Sequence, residues 1–503
     1  MADNQVPLKF PPGFSRPGTR YDARERWYDG QLVRWYENAM QPVPGWLELT
    51  LTDGTQVDVG APARGILAWR DQSGVAHLIV GTASKLYHYE GGALTEITPV
   101  TFTAGNVDSQ YSGGSGTYGS GLYGAGLYGA GDPGHQSLVE TTTWQVDNYG
   151  EDVVAVCLSD GQLLYWDKSA GGVASALSNA PTDCTGVVVT PERFIVALGA
   201  NGDGRKIAWP DGANITTWTA TSTNRANEEY LPGNGKIMAG CRTRNETLIW
   251  TDEDIFALRW IGGAYTYQLV NLGKGGLISR NAAVVTGATA YWMGQHEFYR
   301  YNGIVETVPC EVADYVFNDI NRTQAAKITA YARSEFGEVT WHYPSASSTE
   351  NDRYVTMTEQ NGKIFWTFGS LPRTAGVDRQ IFGYPIAVDA AGLLWKHEQS
   401  GGAYTGVDSP WAESGPLELR SGNAVAYLNG LVPDEATLGD VEAKLYLFTW
   451  PTDTDLTEVG PFTPSGRTDF RYAAAMVMLR IDHVNDGWRW GTPKILVKPG
   501  GGR

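Results

Sequence analysis

The sequence predicts an all-β chain: a β-propeller of six or seven blades, followed by a C-terminal β-sandwich and preceded by an N-terminal arm and hairpin. Three observations predict it. With 62 Gly, 18 Trp and 26 Tyr in 503 residues and only 18% charged residues, the composition favours packed strands joined by tight turns over helices. Short strands ending in aromatics recur seven times, usually ahead of a glycine turn: KLYHYEGG from Lys85, QLLYWDKSAGG from Gln162, KIAWPDG from Lys206, FALRWIGG from Phe256, EFYRYNG from Glu297, KIFWTFG from Lys363 and LLWKHEQSGG from Leu393. Where no insertion intervenes, the aromatic ends stand about one blade apart: 43 residues from Trp166 to Trp209, 51 from Trp209 to Trp260 and 41 from Trp260 to Tyr301.

Residues 1–60 read as an arm and hairpin. Four prolines from Pro11 to Pro42 and dense Arg–aromatic pairing mark an extended arm, and LVRWY–ENA–MQPV marks a hairpin. Such an arm cannot bury itself alone, so it is expected to pack on the sandwich or on a neighbouring subunit. Residues 61–402 read as the propeller. Several aromatic ends follow an apolar strand a few residues upstream, among them HLIVGT, VVAVCLSD and RFIVALGA. The interval from Tyr89 to Trp166, 77 residues, is too long for one blade, and the excess at 100–136 reads as an inserted loop. Residues 403–503 read as the sandwich, with Val441, Ala443, Leu445 and Leu447 alternating on one face of VEAKLYLFTW.

The inserted loop carries YSGGSGTYGSGLYGAGLYGAGDPG, in which Gly124, Gly126 and Gly129 match the G-x-G-x-x-G spacing of a dinucleotide-binding turn. That turn needs a buried strand before it and a helix after it. Here a weak strand precedes and Asp132-Pro133-Gly134 follows, so no nucleotide cofactor is expected. The segment is a five-residue repeat with Tyr118, Tyr123 and Tyr128 evenly spaced on a glycine backbone. These tyrosines are expected to act as separate amphipathic contacts that order against other copies or a further component.

The formal charge of −17 argues against a basic groove for nucleic-acid phosphates and against docking on an anionic membrane. MADNQVPLKF has no basic segment leading into an apolar one, and no apolar run is long enough for a membrane span, so a chain without membrane anchor is expected. Cys157, Cys184, Cys241 and Cys310 form no C-x-x-C pair, which predicts buried reduced thiols rather than zinc ligands or disulfides.

Catalytic patterns are weak. Glu228-Glu229, Asp252-Glu253-Asp254 and Glu311 with Asp314 are the acidic pairs a glycosidase reading would use, and on a propeller such pairs are mostly solvated turns. The seven histidines contain no H-E-x-x-H, and Asn201-Gly202-Asp203-Gly204 has one carboxylate where a calcium loop needs several oxygens. A sialidase-like turn fails on spacing at Ser159-Asp160-Gly161. No catalytic residue, cofactor or stoichiometric metal is therefore expected. Exposed Trp and Tyr leave glycan or receptor binding as the alternative.

The opening KFPPGFSRPGTRYDARERWYDGQLVRWYENAMQPVPGW and the ending RIDHVNDGWRWGTPKILVKPGGGR, together with the propeller, resemble tail proteins of tailed bacteriophages, above all the nozzle or DNA-stabilisation proteins of short-tailed phages. The specific matches lie in the first fifty and last thirty residues. Hub proteins of long-tailed phages have similar ends. The resemblance implies a structural virion protein, made in the host cytoplasm and built into the tail. It implies a homo-oligomeric ring, most often hexameric, beneath the portal and adaptor, connected to distal fibre or spike proteins and closing and then opening the DNA exit channel. Six copies carry six times −17, or −102 formal charges, and a wall of that sign repels DNA in passage. Within the arm, Arg16, Arg20, Arg24 and Arg26 are expected to meet acidic surface on a neighbouring subunit or the adaptor.

Overall fold

Runs such as HLIV and VVAV are apolar at every position because both faces of their strands are covered. Leu78 and Val80 join a core with Ile386 and Val388, whereas Ile79, between them in sequence, joins one with Trp144 and Trp166. Val153 and Ala155 face one way and Val154 and Val156 the other. A strand buried on both faces requires a sheet on each side, and that requirement is met by radial stacking.

The computed structural model describes residues 4–37, 39–111, 137–419, 424–437, 441–464 and 466–500. Seven of the four-stranded antiparallel sheets among these residues are propeller blades. Their innermost strands are Ala63–Arg70, Trp144–Tyr149, Gly186–Val189, Ile237–Arg242, Ala283–Thr286, Thr329–Arg333 and Ala375–Val377. Each neighbours the next, and the seventh returns to the first. The third strands of the second to fifth sheets end at Trp166, Trp209, Trp260 and Tyr301, as the repeat predicts, whereas KIFWTFG supplies the fourth strand of the sixth sheet. Buried indoles stitch sheet to sheet: Trp144 Nε1 donates to Thr82 O at 2.7 Å and Trp341 Nε1 to Ala282 O at 2.9 Å. The Trp144 indole lies so close to the first sheet that a Cβ on Gly81 would stand 2.5 Å from it, which reserves that position for glycine.

The boundary expected at residue 60 shifts. The seventh sheet has only three strands of its own, Ala375–Val377, Ile386–Val388 and Leu394–Lys396, and Leu47–Glu48 completes it by pairing with Trp395 and Lys396. Leu49, Val57 and Val59 are buried in the same core, so residues 47–59 belong to the propeller. Chain segments more than 300 residues apart thus close the ring.

The arm is also structural. Asn4–Pro7 pairs with Lys494–Pro499 in one sandwich sheet, and Trp27–Gln31 pairs with Trp411–Ser414 in the other. The sandwich alternation holds, with Val441, Ala443, Leu445 and Leu447 all buried. Between these strands the arm crosses the edge of the sixth sheet, where Phe14 N donates to Trp366 O at 2.7 Å. The expected hairpin is present as Val33–Tyr36 and Ala39–Pro42. Among the described residues, Ala313–Asp319 is the one α-helix.

The hairpin is locked by a buried charge cluster. Arg34 Nε and Nη2 donate to the two Glu338 oxygens at 3.0 and 2.9 Å, Nη2 also reaches Glu398 at 2.6 Å, and the guanidinium lies 3.7 Å from the Phe336 ring centre. Arg333 stands 3.5 Å from Glu398 and 3.7 Å from Glu338. Burial raises the Glu338 carboxyl despite both arginines, whereas in Glu398 the same burial is outweighed by them and the carboxyl is lowered.

Beside this cluster lie two buried histidines whose neutral forms fit their partners. His342 Nδ1 meets Leu371 O at 3.1 Å, and His397 Nε2 accepts from Arg373 Nε at 2.9 Å. Burial, then Arg333, pushes His342 down to about 3, and burial, then Arg373, holds His397 well below its ordinary value. In the unfolded chain both titrate near 6.5, so below that pH the unfolded chain takes up protons that the folded chain refuses. Stability is therefore full above pH 6.5 and is lost as pH falls toward about 3, by up to about 1.4 kcal/mol per pH unit per histidine. Urea midpoints are expected to be lower at pH 5 than at pH 7.5, with a shallower dependence in His342→Gln; equal midpoints in the parent chain would contradict this.

Candidate functional site

The seven inner strands enclose an axial cavity of about 430 Å³. Most of its wall is backbone and small apolar side chains, and Gln145, Asp147, Arg242, Arg280 and Asn281 supply its polar groups. Asp147 and Arg242 pair at 3.1 Å. Burial raises the Asp147 carboxyl, an effect that Arg242 only partly offsets. Cys241, also on the wall, is pushed up to about 12 by burial, which leaves it a protonated thiol.

The base of the inserted loop is tied to this wall through Arg280, which pairs with Glu140. The loop leaves the first sheet and enters the second through two short paired strands, Gln110–Tyr111 and Leu138–Val139. A buried network fixes their flanks to the first sheet and to the segments that lead into the fourth, fifth and sixth. Gln324 clasps Ser109 from both sides, accepting its N–H at 3.0 Å and donating to its carbonyl at 2.8 Å. Arg64 donates to Val107 O at 3.1 Å and pairs with Glu350 at 2.6 Å, while Lys327 holds both Asp108 and Glu350. Glu140, on the returning limb, pairs with Lys236 at 2.8 Å and with Arg280 at 3.5 Å. Burial alone would raise Glu350 and Glu140, but Arg64 and Lys327 for the first, and Arg280 and Lys236 for the second, outweigh it, and both carboxyls are lowered. The loop base is thereby pinned across the ring.

Sequence reasoning located the insertion but missed its anchors. Arg64, Lys327 and Glu350 lie far apart in the chain, and no local pattern singles them out. The nucleotide-like glycines and Tyr118, Tyr123 and Tyr128 lie outside the described residues.

The four arm arginines are placed, and each has an acidic partner within the chain. Arg16 pairs with Asp29, donates to Tyr28 O at 3.0 Å and lies over the Tyr28 and Tyr315 rings at 4.1 and 4.5 Å. Arg20 meets Glu413 at 3.3 Å, Arg24 meets Glu418 at 3.4 Å, and Arg26 pairs with Glu311. The physical reason is that the arm has strands of its own in both sandwich sheets, so its charged side chains fall on that surface.

The acidic pairs are dispersed. Glu228 is exposed and bound to Lys206 at 2.7 Å, and its neighbour Glu229 projects from the opposite face of the same strand. Glu253 and Asp254 share Lys274 at 3.6 and 3.0 Å. Glu311 is paired with Arg26, and Asp314 lies in the first helical turn. Asn201-Gly202 forms a left-handed turn. All four cysteines are free thiols; Cys157 and Cys184 are buried, as expected, while Cys241 and Cys310 are partly accessible.

No protein-family model matches this chain, and no curated protein matches it. Solved structures do. A virginiamycin B lyase from Staphylococcus aureus is similar at 11% identity over 70% of this chain and 98% of that one, with a TM-score of 0.42. YCF48 bound to a D1 peptide is similar at 10% identity over 72% and 97%, TM-score 0.38. An exo-β-1,3-galactanase from Phanerochaete chrysosporium is similar at 10% identity over 91% and 100%, TM-score 0.30. Lyase and glycosidase propellers are thus among the similar structures, and similarity at this level concerns fold alone.

Proposed function

We propose that this chain is a structural, non-enzymatic virion protein of a bacteriophage tail. In this reading it forms a ring that closes and then opens the DNA exit channel, joining adaptor and portal above to fibre or spike proteins below. One observation supports the reading most: the two sequence ends that resemble phage tail proteins form a single structural unit. Asn4–Pro7 pairs with Lys494–Pro499, and Met40 and Trp490 bridge hairpin to C-terminus. The matched ends are adjacent strands of one sandwich, as two halves of one module are.

In such a ring the bore runs between copies. The propeller axis itself holds a cavity of only about 430 Å³, too small for a DNA duplex. The charge of −17 per copy suits a wall that DNA passes without sticking.

Phage particles assembled without this chain are expected to package DNA and then lose it, measured as nuclease-sensitive genome. The purified protein is expected to turn over no capsular polysaccharide or cell-wall glycan. Turnover abolished by Glu228→Gln or Glu311→Gln would replace this reading with the glycosidase one.

A further inference from the structure

The second and third strands of the first sheet, Ala76–Thr82 and Leu86–Glu90, place His77 directly opposite Glu90, with His88 two residues along on the same face. His77 Nδ1 stands 3.0 Å from His88 Nε2 and 3.7 Å from Glu90 Oε2. The three donor atoms lie within 4.8 Å of one another. The other nitrogen of His77, Nε2, lies 3.3 Å from Asp71 Oδ2. Trp69 packs against His77 at 4.9 Å between ring centres, and Trp166 of the second sheet packs against His88 at 4.6 Å.

We propose that His77, His88 and Glu90 form a binding site for a divalent transition-metal ion of the zinc class, with Asp71 as the residue that orients His77. Two imidazole nitrogens and a carboxylate oxygen are a donor set that zinc accepts, with solvent free to take a fourth position. The Asp71 carboxylate stands 3.3 Å from His77 Nε2. With the His77 proton on that nitrogen, Nδ1 is the lone pair facing His88, the carboxylate–histidine arrangement that orients metal-bound histidines generally. Lys168 and the Val75 N–H engage the Asp71 carboxylate, so that it acts through His77 rather than as a ligand.

The surroundings fit an ion as well. The His77 side chain is fully buried, whereas Glu90 is 41% exposed, which gives a route in from solvent on one side. The indoles exclude water on the others. A tetrahedral ion about 2.05 Å from each nitrogen needs roughly 3.3 Å between them. Seating it requires the rings to part slightly and turn.

The alternative is a bare imidazole–imidazole hydrogen bond wedged between the first two blades. The full-length protein, purified without a histidine tag and stripped with EDTA, distinguishes the two when titrated with zinc sulfate and with cobalt chloride. The proposal expects one ion per chain, visible d–d bands of four-coordinate cobalt and a zinc-dependent rise in melting temperature. Glu90→Gln, at a partly exposed position, and Asp71→Asn are each expected to weaken zinc binding by roughly 10–100-fold. His88→Gln is expected to abolish the cobalt bands. Failure of the wild-type chain to take up a stoichiometric ion, or uptake unchanged in both Glu90→Gln and His88→Gln, would overturn the site.

Discussion

Arg34→Met is expected to destabilise the folded chain by about 3–5 kcal/mol, seen as a large fall in the urea midpoint. Arg34 and the Glu338 carboxylate it grips are both almost fully buried, and Glu398, which it also holds, is nearly so. Removing the guanidinium leaves two carboxylates in the interior sharing Arg333, at 3.5 and 3.7 Å, as their ion-pair partner. Coulombic gain from one shared cation does not offset the desolvation of two anions. The loss belongs to the orphaned charges rather than to the pair, which gives the prediction a control. Combining Arg34→Met with Glu338→Gln is expected to recover part of the stability, because the residual carboxylate then keeps Arg333 to itself. A single variant as stable as the parent would show that the cluster contributes nothing.

Deleting residues 1–31 is expected to abolish folding of the sandwich and to leave the chain insoluble or open to protease. The deletion takes one strand from each sandwich sheet, Asn4–Pro7 and Trp27–Gln31. It also removes Leu8, Phe14 and Trp27 from the core, where each is 2% exposed or less. At about 1.5–3 kcal/mol for each large apolar side chain, these three alone rival the roughly 5–15 kcal/mol that holds a domain together. Retained solubility and an unchanged melting temperature would make the arm a loose terminus. The deletion therefore cannot serve as a clean test of assembly; for that, charge reversal at the more exposed Arg24 is the milder change.

The all-β class, the propeller repeat and the sandwich alternation were legible in the sequence because each is a local pattern. Trp166, Trp209, Trp260 and Tyr301 recur at blade spacing since each must fill the same gap between radial sheets. Long-range closure was not legible. Nothing in Leu47-Glu48 marks it as the missing strand of a sheet near residue 395, because a two-residue edge strand carries no period. The in-chain partners of the arm arginines were not legible for a related reason. The charge of the arginines is evident in the sequence, but Glu311, Glu413 and Glu418 are brought near only by the completed fold. His77, His88 and Glu90 likewise form no motif with standard spacing, and it is the hairpin register that puts His77 opposite Glu90.

The most direct test of the tail assignment is an image of the intact phage particle at a resolution that recognises a propeller joined to a sandwich. The account predicts a closed ring of this chain on the tail axis beneath the portal and adaptor, with the bore between copies and each propeller axis off the path of the DNA. Finding the chain as isolated copies or trimers at a distal receptor-binding tip, or finding no copy in the particle, would contradict it.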